Sequence, residues 1–214
     1  MKISVVKLLL AVLWPILSSQ GQQKLPYQQD FEKEEAGKIP SDFLVLDGAF
    51  AVKEENGNKF LELPGAPLDT FAVQFGPAEA DNISVSASMC GTAKGRRFPV
   101  FGVGLNGVAG YRLQVSPAKN MVELFKDQAL KASTSFDWKS GSWLSLRLQV
   151  RRGPEGIWKI EGKAWLKGSP EPPQWIISAE EKEPPQPGRA SIFGSPFSGT
   201  PIQFDDFVVE RPPG

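Results

Sequence analysis

Histidine is absent from this 214-residue chain, and cysteine occurs once. The missing histidine excludes Ser-His-Asp and Cys-His nucleophilic machinery, the HExxH zinc proteases and histidine-ligated catalytic metals. What remains is carboxylate chemistry, lysine chemistry, or binding without chemistry. A single cysteine cannot form an internal disulfide, so the fold must rest on core burial. Cys90 ends the run Val85-Ser-Ala-Ser-Met-Cys, with no base or cation beside it to favour a thiolate, and reads as a small buried hydrophobe. A surplus of charge is also missing: 24 basic residues meet 24 acidic ones. That balance is not one of a nucleic-acid binder, which carries a basic face and a high pI. The basic clusters Lys94-Gly-Arg96-Arg97 and Arg151-Arg152 adjoin glycine and read as solvated turn charges.

Long hydrophobic runs are lacking too. The longest, Leu8 to Leu17, covers half of the roughly twenty residues a membrane-spanning helix needs, and Pro15 interrupts it. Lys2 and Lys7 precede the run and Ser18-Ser19-Gln20-Gly21 follows, the three-part layout of a secretory signal. The expectation is a signal peptide at 1–21 and one exported domain at 22–214, periplasmic or extracellular, without membrane insertion. Cleavage would remove two lysines and leave a net charge of −2.

Period-two alternation of apolar and polar residues fills the chain after residue 48, and helical spacing is scarce. Ile83, Val85, Ala87 and Met89 alternate with Ser84, Ser86 and Ser88. Tyr111, Leu113 and Val115 repeat the pattern, as do Leu144, Leu146, Leu148 and Val150 against Ser145, Arg147 and Gln149. Trp158, Ile160, Gly162, Ala164 and Leu166 alternate with Lys159, Glu161 and Lys163. Each pattern describes a strand with one wet and one buried face, as in antiparallel sheets. Turn signals separate them, among them Glu55-Asn-Gly-Asn58, Lys139-Ser-Gly-Ser142 and Gly153-Pro-Glu-Gly156. About a dozen strand candidates lie between Phe50 and Val209, and Glu32 to Ala36 offers at most one helical turn. The spacing predicts a single all-β sandwich or barrel.

Three segments carry a resemblance: Asp30-Phe31-Glu32 with Gly37-Lys-Ile-Pro40; Gly162-Lys-Ala-Trp-Leu-Lys-Gly168 running into Pro170-Glu-Pro-Pro-Gln-Trp175; and Pro187-Gly188 with Ile202-Gln-Phe-Asp-Asp-Phe-Val-Val209. Together with the pattern from Trp143 to Val150 they resemble bacterial concanavalin A-like, laminin G-like jelly-roll domains, a group related to keto-sugar hydrolase-like domains. The resemblance spans nearly all of residues 27 to 210. It implies a β-sandwich of two antiparallel sheets, first and last strands side by side, and a sugar-binding or sugar-processing ancestry. Fold alone does not decide function.

A retaining glucanase needs two glutamates around an aspartate on one strand face. Glu79-Ala-Asp81-Asn-Ile-Ser84 lacks the second glutamate. For calcium, which takes six or more oxygens, the resemblance places Asp30 and Glu32 of the first strand near Asp206 of the last, with Asp205 in reserve. Strict alternation puts Phe204, Asp206 and Val208 on one face of that strand and Asp205, Phe207 and Val209 on the other. The plainer alternative has both aspartates terminating a turn or pairing with nearby lysines. Sugar rings stack on exposed aromatic faces, and Trp165, opposite the apolar set of its strand, and Trp175, after Pro-Pro-Gln, are the candidates, although large aromatics belong more often to the core. Arg112, Gln114 and Arg147 lie on polar faces of central strands and are expected to line the same concave sheet, unless those faces are merely solvated. Asn82-Ile83-Ser84 fits a glycosylation sequon and, on a strand, carries no weight.

The sequence therefore points to an exported, non-catalytic module that binds a glycan or another extracytoplasmic polymer, with a possible structural calcium. A carboxylate-based sugar-processing enzyme of the keto-glycoside hydrolase type and an envelope protein-protein interaction domain stand as alternatives.

Overall fold

A computed structural model of the chain describes residues 24–65 and 69–212; the expected signal peptide at 1–21 lies outside them. The alternating segments form two antiparallel sheets. The eight-stranded sheet runs, in spatial order, through β13 (Ile177–Glu181), β12 (Trp158–Leu166), β11 (Trp143–Arg152), β6 (Ile83–Gly91), β15 (Ile202–Glu210), β4 (Asn58–Leu63) and β3 (Ala51–Glu55), with β1 (Tyr27–Gln29) pairing β15 beyond the end of β4. The seven-stranded sheet runs through β10 (Ala129–Ser135), β9 (Met121–Lys126), β8 (Tyr111–Ser116), β7 (Val100–Leu105), β14 (Gly188–Ser195), β5 (Phe71–Glu79) and β2 (Leu44–Asp47). First and last strands lie side by side, Tyr27 opposite Val209.

Local sequence explains the connections. Between Glu55 and Asn58, which face each other across β3 and β4, Asn56 and Gly57 both adopt positive φ, as a two-residue primed hairpin turn demands. The segment from Glu32 makes no helical turn. It closes a β-turn in which Glu34 N–H donates to the Phe31 carbonyl, 2.9 Å, and this seats the fully buried Phe31 ring against Phe207 at 5.1 Å.

The apolar residues of the alternating patterns meet between the sheets. Leu144, Leu146, Leu148 and Val150 of β11 and Ile83, Val85, Ala87 and Met89 of β6 face Val103 of β7, Leu113 of β8 and Leu124 of β9 in one continuous core. Gly162, on the inner side of β12, permits a close approach of the other sheet: a Cβ there would lie 2.6 Å from Leu113 Cδ1.

Strict alternation fails in β15. Asp205 faces Ser88 and Val208 faces Ser86, so Asp206 and Phe207 together oppose one residue of β6, a β-bulge with Asp206 at φ 53°. The extra residue resets the phase: Phe204 and Phe207 both enter the core, and Asp205 stands with Ser88 on the outer face.

Candidate functional site

Residues directly opposite on paired strands share a face, so the registers lay out the outer side of the eight-stranded sheet. One row holds Gln28, Val208, Ser86, Arg147 and Lys163; the next holds Glu210, Ser84, Gln149, Glu161 and Ser178; on the other side lie Asp205, Ser88, Ser145 and Trp165. The serines of β6 keep the centre low. The connection 167–176 between β12 and β13 folds over this face and builds a wall. Its Glu171 Oε1 accepts a hydrogen bond from Lys163 Nζ at 2.9 Å, with Oε2 at 3.4 Å from Arg147 Nε. Its Trp175 presents its ring 4.4 Å from the Lys163 ammonium. The resulting cleft, about 650 Å³, is lined by Asn82, Gln149, Trp175, Pro212, five cationic residues (Arg147, Arg151, Arg152, Lys163, Arg211) and one acid, Glu171.

Lys163 has a side chain only 7 % exposed. A buried ammonium needs compensation, supplied here by Glu171 and the Trp175 ring. Arg151 grips Glu161 through Nε at 2.7 Å and a second nitrogen at 3.2 Å, while Gln149 donates at 2.7 Å. Burial by itself would raise the Glu161 pKa, but these donors outweigh it and hold the carboxyl below its ordinary range. Arg147 reaches Glu210 at 3.3 Å and Arg211 reaches Glu79 at 3.1 Å. The guanidinium of Arg152 stacks 5.7 Å from the Trp158 ring. The face thus combines a flat aromatic surface, fixed cationic donors and an amide, groups that can stack on a flat ligand and donate hydrogen bonds to it.

The five residues singled out from sequence divide between two faces. Arg147, Trp165 and Trp175 gather on the outer side of the eight-stranded sheet, where Trp165 is half-buried opposite Ser145. Arg112 and Gln114 belong to β8, in the other sheet, and face away from the cleft across the core. The guanidinium of Arg112 lies between Phe125 and Phe193, 5.5 and 5.4 Å from their centroids, and donates to the Asp127 carbonyl at 3.0 Å. Gln114 donates to Ser116 and to the buried Glu123. The expectation of one shared sheet is therefore corrected: alternation tells which side of a strand is polar, not which sheet the strand joins. Sequence reasoning passed over Lys163, Gln149, Glu171 and Arg211, and its reading of Arg151-Arg152 as solvated turn charges is corrected: both end strand β11 and line the cleft, Arg151 on Glu161 and Arg152 over Trp158. Its available signal was the match between Arg147, Gln149 and Arg151 on one strand and Lys163, Glu161 and Lys159 on the next, which are direct partners across the β11–β12 pair.

Asp30, Glu32 and Asp206 do not assemble into one ligand set. Asp30 and Asp206 line a second cleft of about 460 Å³ with Gln29, Lys33 and Glu34, but Glu32 turns to the Lys59 backbone N–H at 3.0 Å. Asp206 accepts from Ser88 at 2.9 Å and pairs with Lys167 at 2.7 Å, and Lys167 also reaches Asp205 at 3.3 Å. Among the described residues no three acidic or thiol side chains converge as metal ligands. The ammonium of Lys167, 5.0 Å from the Trp143 ring, supplies the cation that these carboxylates require. Asp205 remains above its ordinary pKa, through burial first and the charge of Asp206 second.

No protein-family model and no curated protein sequence matches the chain. Solved structures do match. A protein of unknown function with a galectin-like fold from Bacillus subtilis aligns with TM-score 0.61 and 11 % identity, covering 89 % of this chain and 97 % of that one. The fold is a galectin-like, concanavalin A-like β-sandwich. The carbohydrate-binding module CBM66 from Bacillus subtilis aligns with TM-score 0.55 and 12 % identity over 79 % of this chain and 95 % of that one. A xylan β-1,4-xylosidase from Bacillus halodurans aligns with TM-score 0.59 and 14 % identity over 92 % of this chain, which spans 41 % of the enzyme.

Proposed function

We propose that this protein is an exported, non-catalytic module that binds a glycan, or another extracytoplasmic polymer of similar chemistry, in the cleft on the outer face of its eight-stranded sheet. The observation that carries the reading is the Trp175–Lys163–Arg147 constellation: an aromatic face backed by a fixed ammonium, beside a guanidinium, above a serine floor. A cleft of about 650 Å³ falls within the range of small-ligand sites. The similar solved structures include a module that binds carbohydrate, which supports the same reading. Export rests on the three-part N-terminal pattern.

The rival reading, a carboxylate-based sugar-processing enzyme, needs two acids free to exchange protons in the cleft; the one acid in its lining, Glu171, is tied to Lys163, and Glu161, two residues from Lys163, is tied to Arg151. A structural calcium on Asp30 and Asp206 would have to displace Lys167, so chelator should leave the melting temperature unchanged. The test of function is a screen of the protein against a broad panel of polysaccharides. Saturable binding is expected, lost in Trp175→Ala and weakened in Trp165→Ala. No binding to any glycan by a folded protein would overturn the proposal and shift weight to an interaction domain, for which the exposed Leu44, Val45 and Leu46 on edge strand β2 are the natural surface.

A further inference from the structure

We infer that the ligand of this cleft is a glycan bearing carboxylates, of the uronic acid type, and that Glu171 occupies the place of the ligand carboxylate when none is bound. The inference rests on the glycan-binding reading above. Arg147 and Lys163 stand directly opposite each other on neighbouring strands, on the same face. Like charges so placed repel, and neither strand provides an acid between them. The compensating charge comes instead from the connection 167–176, which lowers Glu171 onto both cations. The other nearby acids already hold partners: Glu161 holds Arg151, Glu210 holds Arg147 from the opposite side, and Glu79 holds Arg211.

The internal contact is incomplete. Arg147 Nε is buried and makes no hydrogen bond, although the nearest Glu171 oxygen is 3.4 Å away. A guanidinium presents two parallel N–H donors that match a planar carboxylate, so a better-placed carboxylate would complete what Glu171 leaves open. The Lys163 ammonium lies over the Trp175 ring, so a uronic residue that directs its carboxylate to Lys163 and Arg147 brings its own ring next to the indole. Exchange of one carboxylate for another keeps Lys163 paired throughout, and a neutral sugar gains no such contact. Four of the five cations in this lining are paired with Glu171, Glu161, Glu210 or Glu79, so the positive charge an incoming carboxylate meets is the one Glu171 gives up.

The experiment is calorimetric titration of the full chain with oligosaccharides of galacturonic, mannuronic and glucuronic acid, each paired with its carboxyl-reduced neutral counterpart, and with dextran sulfate. At least one uronate is expected to bind on the order of tenfold more tightly than its reduced form, a preference that shrinks at high salt. Glu171→Gln removes the competing carboxylate and should tighten uronate binding several-fold, and Arg147→Ala should abolish the preference, with circular dichroism confirming that both variants fold. Equal binding of acidic and reduced forms, lost in Trp175→Ala, would overturn the inference and leave the glycan-binding proposal standing. Tighter binding of dextran sulfate than of every uronate would overturn the carboxylate assignment. Unchanged uronate affinity in folded Glu171→Gln would remove Glu171 from its place-holding role, and silence in every arm, with the polysaccharide panel also silent, would remove both readings.

Discussion

At the scale of single residues, one close contact between the sheets rests on the absence of a side chain. Gly162 faces inward from β12, and a methyl group there would meet Leu113 Cδ1 at 2.6 Å and Ile177 Cγ2 at 2.9 Å, both on buried residues. Gly162→Ala should therefore destabilise by about 1–3 kcal/mol through overpacking, read as a lower urea midpoint with unchanged slope. Leu113→Ala alone should cost roughly 2–5 kcal/mol, and the double variant less than the sum, because the new methyl enters the space the leucine leaves. The alternation Trp158, Ile160, Gly162 already marked this position as inward in the sequence. Nothing in the sequence could say that Leu113, about fifty residues earlier, would be the atom above it, since that depends on how two sheets stack.

At the scale of elements, β15 shows what period-two reasoning misses. The pattern Phe204-Asp-Asp-Phe207 is legible as a last strand, but the bulge moves Phe207 inward and leaves both aspartates to Lys167, which arrives from the end of β12. Bulges depend on backbone conformation at one residue, here Asp206 at φ 53°, and leave no periodic trace. Lys167→Met strands Asp205, whose side chain is 3 % exposed, beside Asp206. Allowing for the 37 % exposure of Lys167, a loss of about 1–2 kcal/mol is expected, partly recovered by Asp205→Asn in the same chain. Thermal melts of the two variants check this; equal stability of Lys167→Met and the parent would mean the lysine contributes nothing. The same limit governs the site: alternation placed Arg147 and Trp165 on outward faces correctly, whereas Trp175 and Glu171 depend on the path of a proline-rich connection that has no period.

At the scale of the whole molecule, the ion pairs set an acid limit to stability. Glu123, Glu161 and Glu181 all sit below the ordinary glutamate value of 4.5, burial opposing the shift and hydrogen-bonded bases prevailing. Because their folded values are depressed, the stability they contribute is complete above the unfolded value and is lost as pH falls through the folded ones. Asp205 has the opposite sign: its folded value lies above 3.8, so its contribution is present at low pH and lost as pH rises through the folded value. As pH drops below about 4.5 the three glutamates lower the unfolding free energy and Asp205 opposes them, so the acid limb should be shallower in Glu161→Gln. Urea midpoints of both chains across the acid range measure this.

The choice between the two outer faces is a property of the whole molecule as well, because the cleft and the Arg112 cluster lie on opposite sides of one core. Amide chemical-shift mapping of isotope-labelled protein, titrated with pooled acidic and neutral oligosaccharides, decides it most directly. Perturbed amides in β11, β12 and residues 167–176 are predicted. Shifts centred on Arg112, Phe125 and Phe193, or a spectrum unmoved by every pool, would contradict a glycan site in this cleft.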